Sequence, residues 1–154
     1  MEIPWWLWML GAYVCGSMPF GLLIGRFRGV DLREAGSGNI GATNAWRILG
    51  KSWGLLCFGL DVCKGLVPVL LSGWWMGVLG RDDLPAGEQW LWLSVVFAAV
   101  MGHVFPVWLK FKGGKGVATA FGALLGMWPM LTWPVVTALV VWVTIFMTVV
   151  RLAL

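Results

Sequence analysis

Five apolar runs constrain the fold of this 154-residue chain more than any other feature of its sequence. They cover residues 5–25, 53–79, 90–109, 117–127 and 131–150. A helix needs about 20 apolar residues to cross a bilayer, and four of the five runs reach that length. Only 12% of the residues are charged, against about 25% in a typical soluble domain. The sequence therefore predicts an all-α, polytopic integral membrane bundle that forms one domain over residues 1–154, with about five spans.

The fourth run, at 11 residues, is short for a full crossing. It either extends towards Lys115 and Pro129 or ends part-way as a buried half-helix, and the sequence leaves both possibilities open. A partial crossing is tolerated only where neighbouring protein buries it.

The placement of charge predicts which side of the membrane each loop faces. Glu2, Asp82, Asp83 and Glu88 fall on one side. Nine of the eleven basic residues fall on the other side: Arg26, Arg28, Arg33, Arg47, Lys51, Lys110, Lys112, Lys115 and Arg151. Since basic residues accumulate in cytoplasmic loops, we expect the N-terminus outside and the first and third polar segments in the cytoplasm.

The first polar segment contains a glycine-rich stretch, GSGNIGATNAWR, at residues 36–47. We expect a loop through Gly41 and a short helix from about Ala42 to Leu49, closed by Gly50. The N-terminus of such a helix suits a phosphate, and Arg47 could add a bidentate contact. The alternative is a flexible connector whose arginine contacts lipid headgroups. The glycine spacing also matches a dinucleotide fingerprint, but no apolar strand precedes it, which excludes that fold.

The third polar segment, KFKGGKG at residues 110–116, also precedes an apolar helix. Glycines beside a lysine resemble a phosphate-binding loop, but the spacing of the nucleotide-binding P-loop is missing, so ATP use is not indicated. A basic tether at the membrane surface explains Lys110 and Lys112. It does not explain the glycines, which destabilise a helix start and need a reason.

Three ionisable residues lie inside the apolar runs. Asp61 and Lys64 are three residues apart on one helix face, and either form a structural ion pair or line an anion site through Lys64. His103 is a candidate base or a packed histidine bonded to a neighbouring span. The three cysteines, Cys15, Cys57 and Cys63, are expected to be small buried apolar residues.

Three of these stretches closely resemble the PlsY family of bacterial acyl-phosphate:glycerol-3-phosphate acyltransferases. They are GSGNIGATNAWRILGK from residue 36, DVCKG from residue 61, and GHVFPVWLKFKGGKGVAT from residue 102. The resemblance implies transfer of an acyl group from acyl phosphate to the first hydroxyl of sn-glycerol 3-phosphate. It implies neither a cofactor nor a metal, and no nucleic acid partner is expected. Membrane lipids are the expected surroundings, in the bacterial inner membrane with the active face cytoplasmic.

The resemblance also implies site residues. The expected catalytic residues are Ser37, Arg47, His103 and Lys115. The expected substrate- and phosphate-binding residues are Gly38, Asn39, Gly41, Thr43, Asn44, Lys64, Gly113, Gly114 and Gly116. The family has a further C-terminal motif with a histidine, an asparagine and a glutamate, which this sequence lacks, so we expect either a sequence truncated at its C-terminus relative to the family or a short form of the family. A non-enzymatic anion carrier or headgroup-binding protein is the alternative.

Overall fold

The structure is a computed structural model that describes the backbone of residues 3–153 and the side chains of residues 3–149. Glu2 and the side chain of Arg151, both used to predict the topology, lie outside this description. The described chain is all-helical, which confirms the predicted fold class. Its α-helices are α1 (Trp5–Gly16), α2 (Phe20–Phe27), α3 (Ala42–Leu49), α4 (Lys51–Trp75), α5 (Ala86–Val104), α6 (Val117–Gly126) and α7 (Thr132–Ala153), with a 3-10 helix at Val107–Leu109.

Helix α4 is the centre of the bundle and packs against α1, α3, α5 and α6. Its contact with α6 depends on bare glycine backbone. A Cβ added at Gly65 would lie 2.1 Å from the Thr119 carbonyl oxygen, and one at Gly122 would lie 2.0 Å from that of Val62. Trp92 of α5 fills the core beside them and donates a hydrogen bond from Nε1 to a backbone carbonyl of α4.

Four described segments have the length and apolar composition of a membrane span: Trp5–Phe27, Lys51–Trp75, Ala86–Leu109 and Thr132–Val149. The fourth apolar run forms α6, which has 10 residues and is about 15 Å long. The turn after α6 nevertheless reaches the loop that follows the C-terminal end of α4, where the Gly80 N–H donates to the Trp128 carbonyl at 3.0 Å. The short run thus extends from the glycine loop to the opposite end of the bundle core.

The first apolar run forms two helices, α1 and α2, because the helix breaks at residues 17–19. Pro19 lacks an N–H and disfavours helical geometry in the residue before it. Two side chains from other helices satisfy polar groups at the break. Lys64 donates to the Met18 carbonyl at 2.8 Å, and Trp108 donates from Nε1 to Ser17 Oγ at 2.6 Å.

The third apolar run is also interrupted, close to Pro106. Helix α5 ends at Val104, two residues before Pro106, and the chain continues as the short 3-10 helix. Lys110 and Phe111 then adopt positive φ angles of 52° and 62°, which turn the chain back towards the end of α5. This reversal brings the second glycine loop against His103.

The cysteines are only partly as predicted, since Cys57 is buried, Cys15 is half-buried and Cys63 is exposed. Cys63 lies between Asp61 and Lys64 in sequence and therefore points away from the helix face that those two residues share. Helix α7 contacts α6, and its span Thr132–Val149 has none of its residues buried.

Candidate functional site

The two glycine-rich loops line one cavity of about 420 Å³. The first loop precedes α4 in the sequence and the second follows α5, and α3 and α6 both begin at this cavity. Its lining residues are Ser37, Asn39, Gly41, Ala42, Thr43, Asn44, Arg47, Phe58, Asp61, His103, Lys115, Gly116, Val117 and Ala118. Most of the sequence-predicted site residues therefore meet in one place, although Gly38, Lys64, Gly113 and Gly114 are not among the lining residues.

Asn44 organises the first loop from its centre. Its side chain is 2% exposed and donates to the carbonyl groups of Leu32, Ala35 and Asn39 at 2.8–3.1 Å, while its Oδ1 accepts from the Ser37 N–H at 3.0 Å. These bonds occupy both the NH₂ group and the carbonyl oxygen. The amide predicted to bind substrate is thus engaged within the loop, and its observed contacts hold Ser37 in position.

Gly36 and Gly38 give this loop its shape, with φ angles of 62° and 70°. A Cβ at Gly36 would lie 2.4 Å from Asn44 Oδ1, so the residue must be a glycine for the Asn44 bonds to form. Asn39 Oδ1 accepts from the Gly41 N–H at 2.8 Å, just before α3. Ala42 and Thr43, the first residues of α3, line the cavity, and their N–H groups have no intrahelical partner.

The first glycines of the second loop contact the end of α5. The N–H groups of Gly113 and Gly114 donate to the Val104 and His103 carbonyls at 3.0 and 3.2 Å. A Cβ at Gly113 would lie 2.0 Å from the His103 carbonyl oxygen, and one at Gly114 would lie 2.3 Å from His103 Nε2. These two glycines are needed because the loop packs directly against the end of α5.

Beyond this contact, Gly116 has a φ of 77° and leads into α6. Lys115, Gly116 and the first residues of α6 line the cavity. The cavity therefore has a helix N-terminus on each side, from α3 and from α6, and both present unpaired N–H groups and a positive dipole end.

Arg47 and Lys115 add two full positive charges. Within residues 3–149, neither side chain forms an ion pair with an acidic residue. Two uncompensated cations and two helix N-termini around one cavity make it suited to an anionic ligand. No three His, Cys, Asp or Glu side chains come together as a metal site would require, in the part of the chain that the structure describes.

Lys64 does not take part in this arrangement in the way the sequence suggested. Its Nζ lies 2.8 Å from both the Met18 carbonyl and Asp61 Oδ1, and 5.7 Å from the Phe20 ring centroid. Only 3% of its side chain is exposed, and it is not part of the cavity lining. Its partner Asp61 faces the cavity instead, and the contact between the two residues is the structural ion pair, one of the two predicted alternatives.

His103 lies deep in the cavity and is 6% exposed. Its Nδ1 is 2.9 Å from Thr119 Oγ1, which is fully buried, and 3.8 Å from Asp61 Oδ1. Both alternatives for this residue, a packed histidine and one facing a ligand, are therefore compatible with its position.

An ion pair lies at the entry to the first loop. Arg33 donates to both carboxylate oxygens of Asp31, and the Arg33 backbone N–H donates to the same carboxylate. The side-chain hydrogen bond from Arg33 is the main cause of a lowered Asp31 pKa, which falls to about 2. Both residues lie outside the membrane-spanning segments and close to Leu32, which packs under the loop.

An apolar groove of about 650 Å³ adjoins the cavity and was not predicted from the sequence. It is lined by Ala42, Thr43, Trp46, Arg47, Gly54, Leu55 and Phe58, and four of these residues also line the polar cavity. A Cβ at Gly54 would lie 2.4 Å from Trp46 Cβ, so this glycine allows α3 and α4 to pack closely along the groove. The sequence signal that could have indicated this groove is a glycine beside apolar residues on one face of α4.

Comparison with known proteins agrees with these features. The family model described as glycerol-3-phosphate acyltransferase matches residues 6–153. A glycerol-3-phosphate acyltransferase from Desulforamulus reducens is 45% identical over 137 residues, which are 88% of this chain and 62% of that protein. The chain thus spans about three fifths of the length of the curated relatives it matches.

Two solved structures are also similar. The crystal structure of PlsY (YgiH), an integral membrane glycerol 3-phosphate acyltransferase, in its glycerol 3-phosphate form has a TM-score of 0.78 and 39% identity. The match covers 93% of this chain and 66% of that one. The lysophosphatidic acid form of the same protein has a TM-score of 0.76 and 38% identity, covering 92% and 64%.

Proposed function

Because this chain belongs to the glycerol-3-phosphate acyltransferase family, we propose that it transfers an acyl group to sn-glycerol 3-phosphate. The donor in this proposal is an acyl phosphate, and the products are lysophosphatidate and inorganic phosphate. The observation that carries the proposal is the junction at Arg47, where a cavity suited to anions meets an apolar groove. An acyl phosphate needs both environments next to each other.

The proposed reaction breaks one bond and forms one bond. An acyl phosphate is a mixed anhydride, so its phosphate is a good leaving group. The acceptor hydroxyl oxygen bonds to the acyl carbonyl carbon, and the bond from that carbon to the phosphate oxygen breaks. The hydroxyl proton passes to a phosphate oxygen, so that no covalent enzyme intermediate is needed. The protein would contribute the positioning of two anions and the stabilisation of negative charge.

We assign the charged roles to Arg47 and Lys115. Arg47 would hold the donor phosphate, since it lies between the cavity and the groove, while Lys115 and the N-terminus of α6 would hold the phosphate of the acceptor. Ser37, Asn39 and the first N–H groups of α3 would orient the same donor phosphate from the first glycine-rich loop. In this proposal the acyl chain lies in the apolar groove, against Leu55 and Phe58.

The proposed location is the bacterial inner membrane, with the cavity on its cytoplasmic face. The basic residues that accompany both loops support this orientation, because cytoplasmic loops are enriched in Lys and Arg. The acceptor is water-soluble and the donor is amphiphilic, and a cavity beside a membrane-facing groove is accessible to both.

The purified chain, reconstituted in phosphatidylethanolamine–phosphatidylglycerol vesicles, tests the proposal with palmitoyl phosphate and radiolabelled glycerol 3-phosphate. We expect equimolar lysophosphatidate and inorganic phosphate, with no product from palmitoyl-CoA. Arg47→Ala protein at equal vesicle content is the control. Accumulation of unmodified glycerol 3-phosphate inside the vesicles, without acylation, would instead support the carrier alternative.

A further inference from the structure

Asp61 is an acidic residue in a cavity otherwise suited to anions, and the mechanism above gives it no role. It is 3% exposed and belongs to the cavity lining together with Arg47 and Lys115. A carboxylate repels phosphate, so its presence requires an explanation. Pairing with Lys64 explains why a charge can exist there, but not why the carboxylate, rather than the lysine, faces the cavity.

The hydrogen-bonding capacity of Asp61 is not fully used by the protein. Oδ2 accepts a weak contact from the Cys57 thiol at 3.9 Å. Oδ1 is buried and is compensated by Lys64 Nζ, which lies 2.8 Å away as its ion-pair partner. Oδ2, whose contact with the thiol is weak, therefore retains the capacity to accept a hydrogen bond from a ligand in the cavity that Asp61 lines.

The surroundings of Asp61 define what that donor must be. A phosphate group at neutral pH mainly accepts hydrogen bonds, and the cavity provides donors for it at Arg47, Lys115 and two helix N-termini. The complementary groups on a small polyol phosphate are its hydroxyls, which donate. Asp61 is a cavity-lining carboxylate that can accept from them, and ionisation makes it the stronger kind of acceptor.

We propose that Asp61 recognises the acceptor substrate by accepting a hydrogen bond from a hydroxyl group of its glycerol moiety. This inference rests on the proposed function, because it takes glycerol 3-phosphate as the acceptor. In it, Lys64 holds Asp61 in place from behind the cavity wall through their ion pair, and does not contact the ligand. Asp61 thereby selects a hydroxylated phosphate over a plain alkyl phosphate.

Calorimetric binding to the chain in detergent micelles tests this inference without requiring turnover. The two probes are glycerol 3-phosphate and ethyl phosphate, which carry the same phosphate charge and differ in their hydroxyls. We expect the unmodified chain to bind glycerol 3-phosphate at least tenfold more tightly, as a charge-assisted hydrogen bond provides. We expect Asp61→Asn combined with Lys64→Met to bind the two probes within threefold of each other.

The double substitution is chosen because it removes both members of the buried ion pair and leaves no unpaired charge. Asp83→Asn is the matched control, since it makes the same chemical change in the exposed loop at the opposite end of the bundle and should retain the preference. Retention of the preference in the double variant, or equal binding of both probes by the unmodified chain, would overturn the inference alone. Binding of neither probe by the unmodified chain would overturn the proposed acceptor as well.

Discussion

The contact between Gly114 and His103 gives a prediction whose size follows from the structure. In Gly114→Ala, the added Cβ would lie 2.3 Å from Nε2 and 3.2–3.3 Å from two ring carbons, whereas ordinary contacts begin near 3.4 Å. The loop or the imidazole must therefore move by about 1 Å. The imidazole has little freedom, because it is buried and its Nδ1 is 2.9 Å from Thr119 Oγ1.

Overpacking of this kind costs about 1–3 kcal/mol of stability, which for a chain of this length corresponds to a Tm lower by roughly 2–12 °C. A displaced loop also moves Lys115, the next residue, and misplacing a binding group by about 1 Å can cost on the order of 100-fold in rate. We therefore expect the KM for glycerol 3-phosphate to rise about tenfold or more. The KM for acyl phosphate should change less, since Arg47 lies on another helix.

The assay combines substrate-dependence of lysophosphatidate formation with thermal unfolding of the same preparations. Gly59→Ala is the matched control, because a Cβ at Gly59 meets no atom within 4 Å and the substitution lies within α4. That variant should retain both its Tm and its KM. A Gly114→Ala protein with unchanged Tm and an unchanged KM for glycerol 3-phosphate would refute the view that packing against His103 positions the loop.

Three further predictions concern the loops. Arg47→Ala and Lys115→Ala should each lower acyl transfer in the vesicle assay by at least about 100-fold. Membrane insertion, measured by flotation, should be unaffected. Normal turnover in either variant would refute the assignment of these two residues to the two substrate phosphates. Asn44→Ala leaves three carbonyls and one N–H of the first loop without their partner, so the protein should lose about 1–3 kcal/mol of stability. The loosened loop should become sensitive to trypsin at Arg33. Proteolysis of the loop at the rate of the unmodified chain would contradict this prediction. Because Arg33 holds the pKa of Asp31 at about 2, their contact should stabilise the loop fully above about pH 4, and this stabilisation should be lost as the pH falls towards 2. The NMR shift of the Asp31 carboxyl carbon should give a pKa near 2 in the unmodified chain. In Arg33→Ala, the pKa of Asp31 should return to its ordinary value of about 4.

Local sequence rules predicted the helices with clear end signals. Helix α3 begins after Gly41 and ends before Gly50, as the glycine positions indicated, and Gly50 has the positive φ of a helix terminator. The common location of the two loops followed from the distribution of basic residues, and the shared cavity agrees with it. These features depend on a few adjacent residues or on charge, which the sequence states directly.

Other features depend on contacts between distant segments and could not be read in this way. The break at Pro19 was hidden in an apolar run, because proline is common in membrane helices whose freed polar groups neighbouring helices satisfy. Here Lys64 and Trp108 provide that satisfaction from 46 and 91 residues away. The inward direction of the Gly113 and Gly114 amides depends on the reversal at Lys110 and is equally non-local.

The same limit explains why the sequence left the roles of Asp61 and Lys64 open, and their arrangement has a consequence for the charge of the cavity. Their spacing fixes a shared helix face, but a long lysine side chain can reach the Met18 carbonyl while the shorter carboxylate stays at the cavity wall. If Asp61 lacked this partner, its charge would offset that of Arg47 or Lys115 and weaken the proposed anion site. Since Lys64 compensates Asp61 from behind, two cations remain available in the cavity together with one hydrogen-bond acceptor. A buried ion pair that contacts neither phosphate group can thus set both the charge and the hydroxyl selectivity of the proposed site.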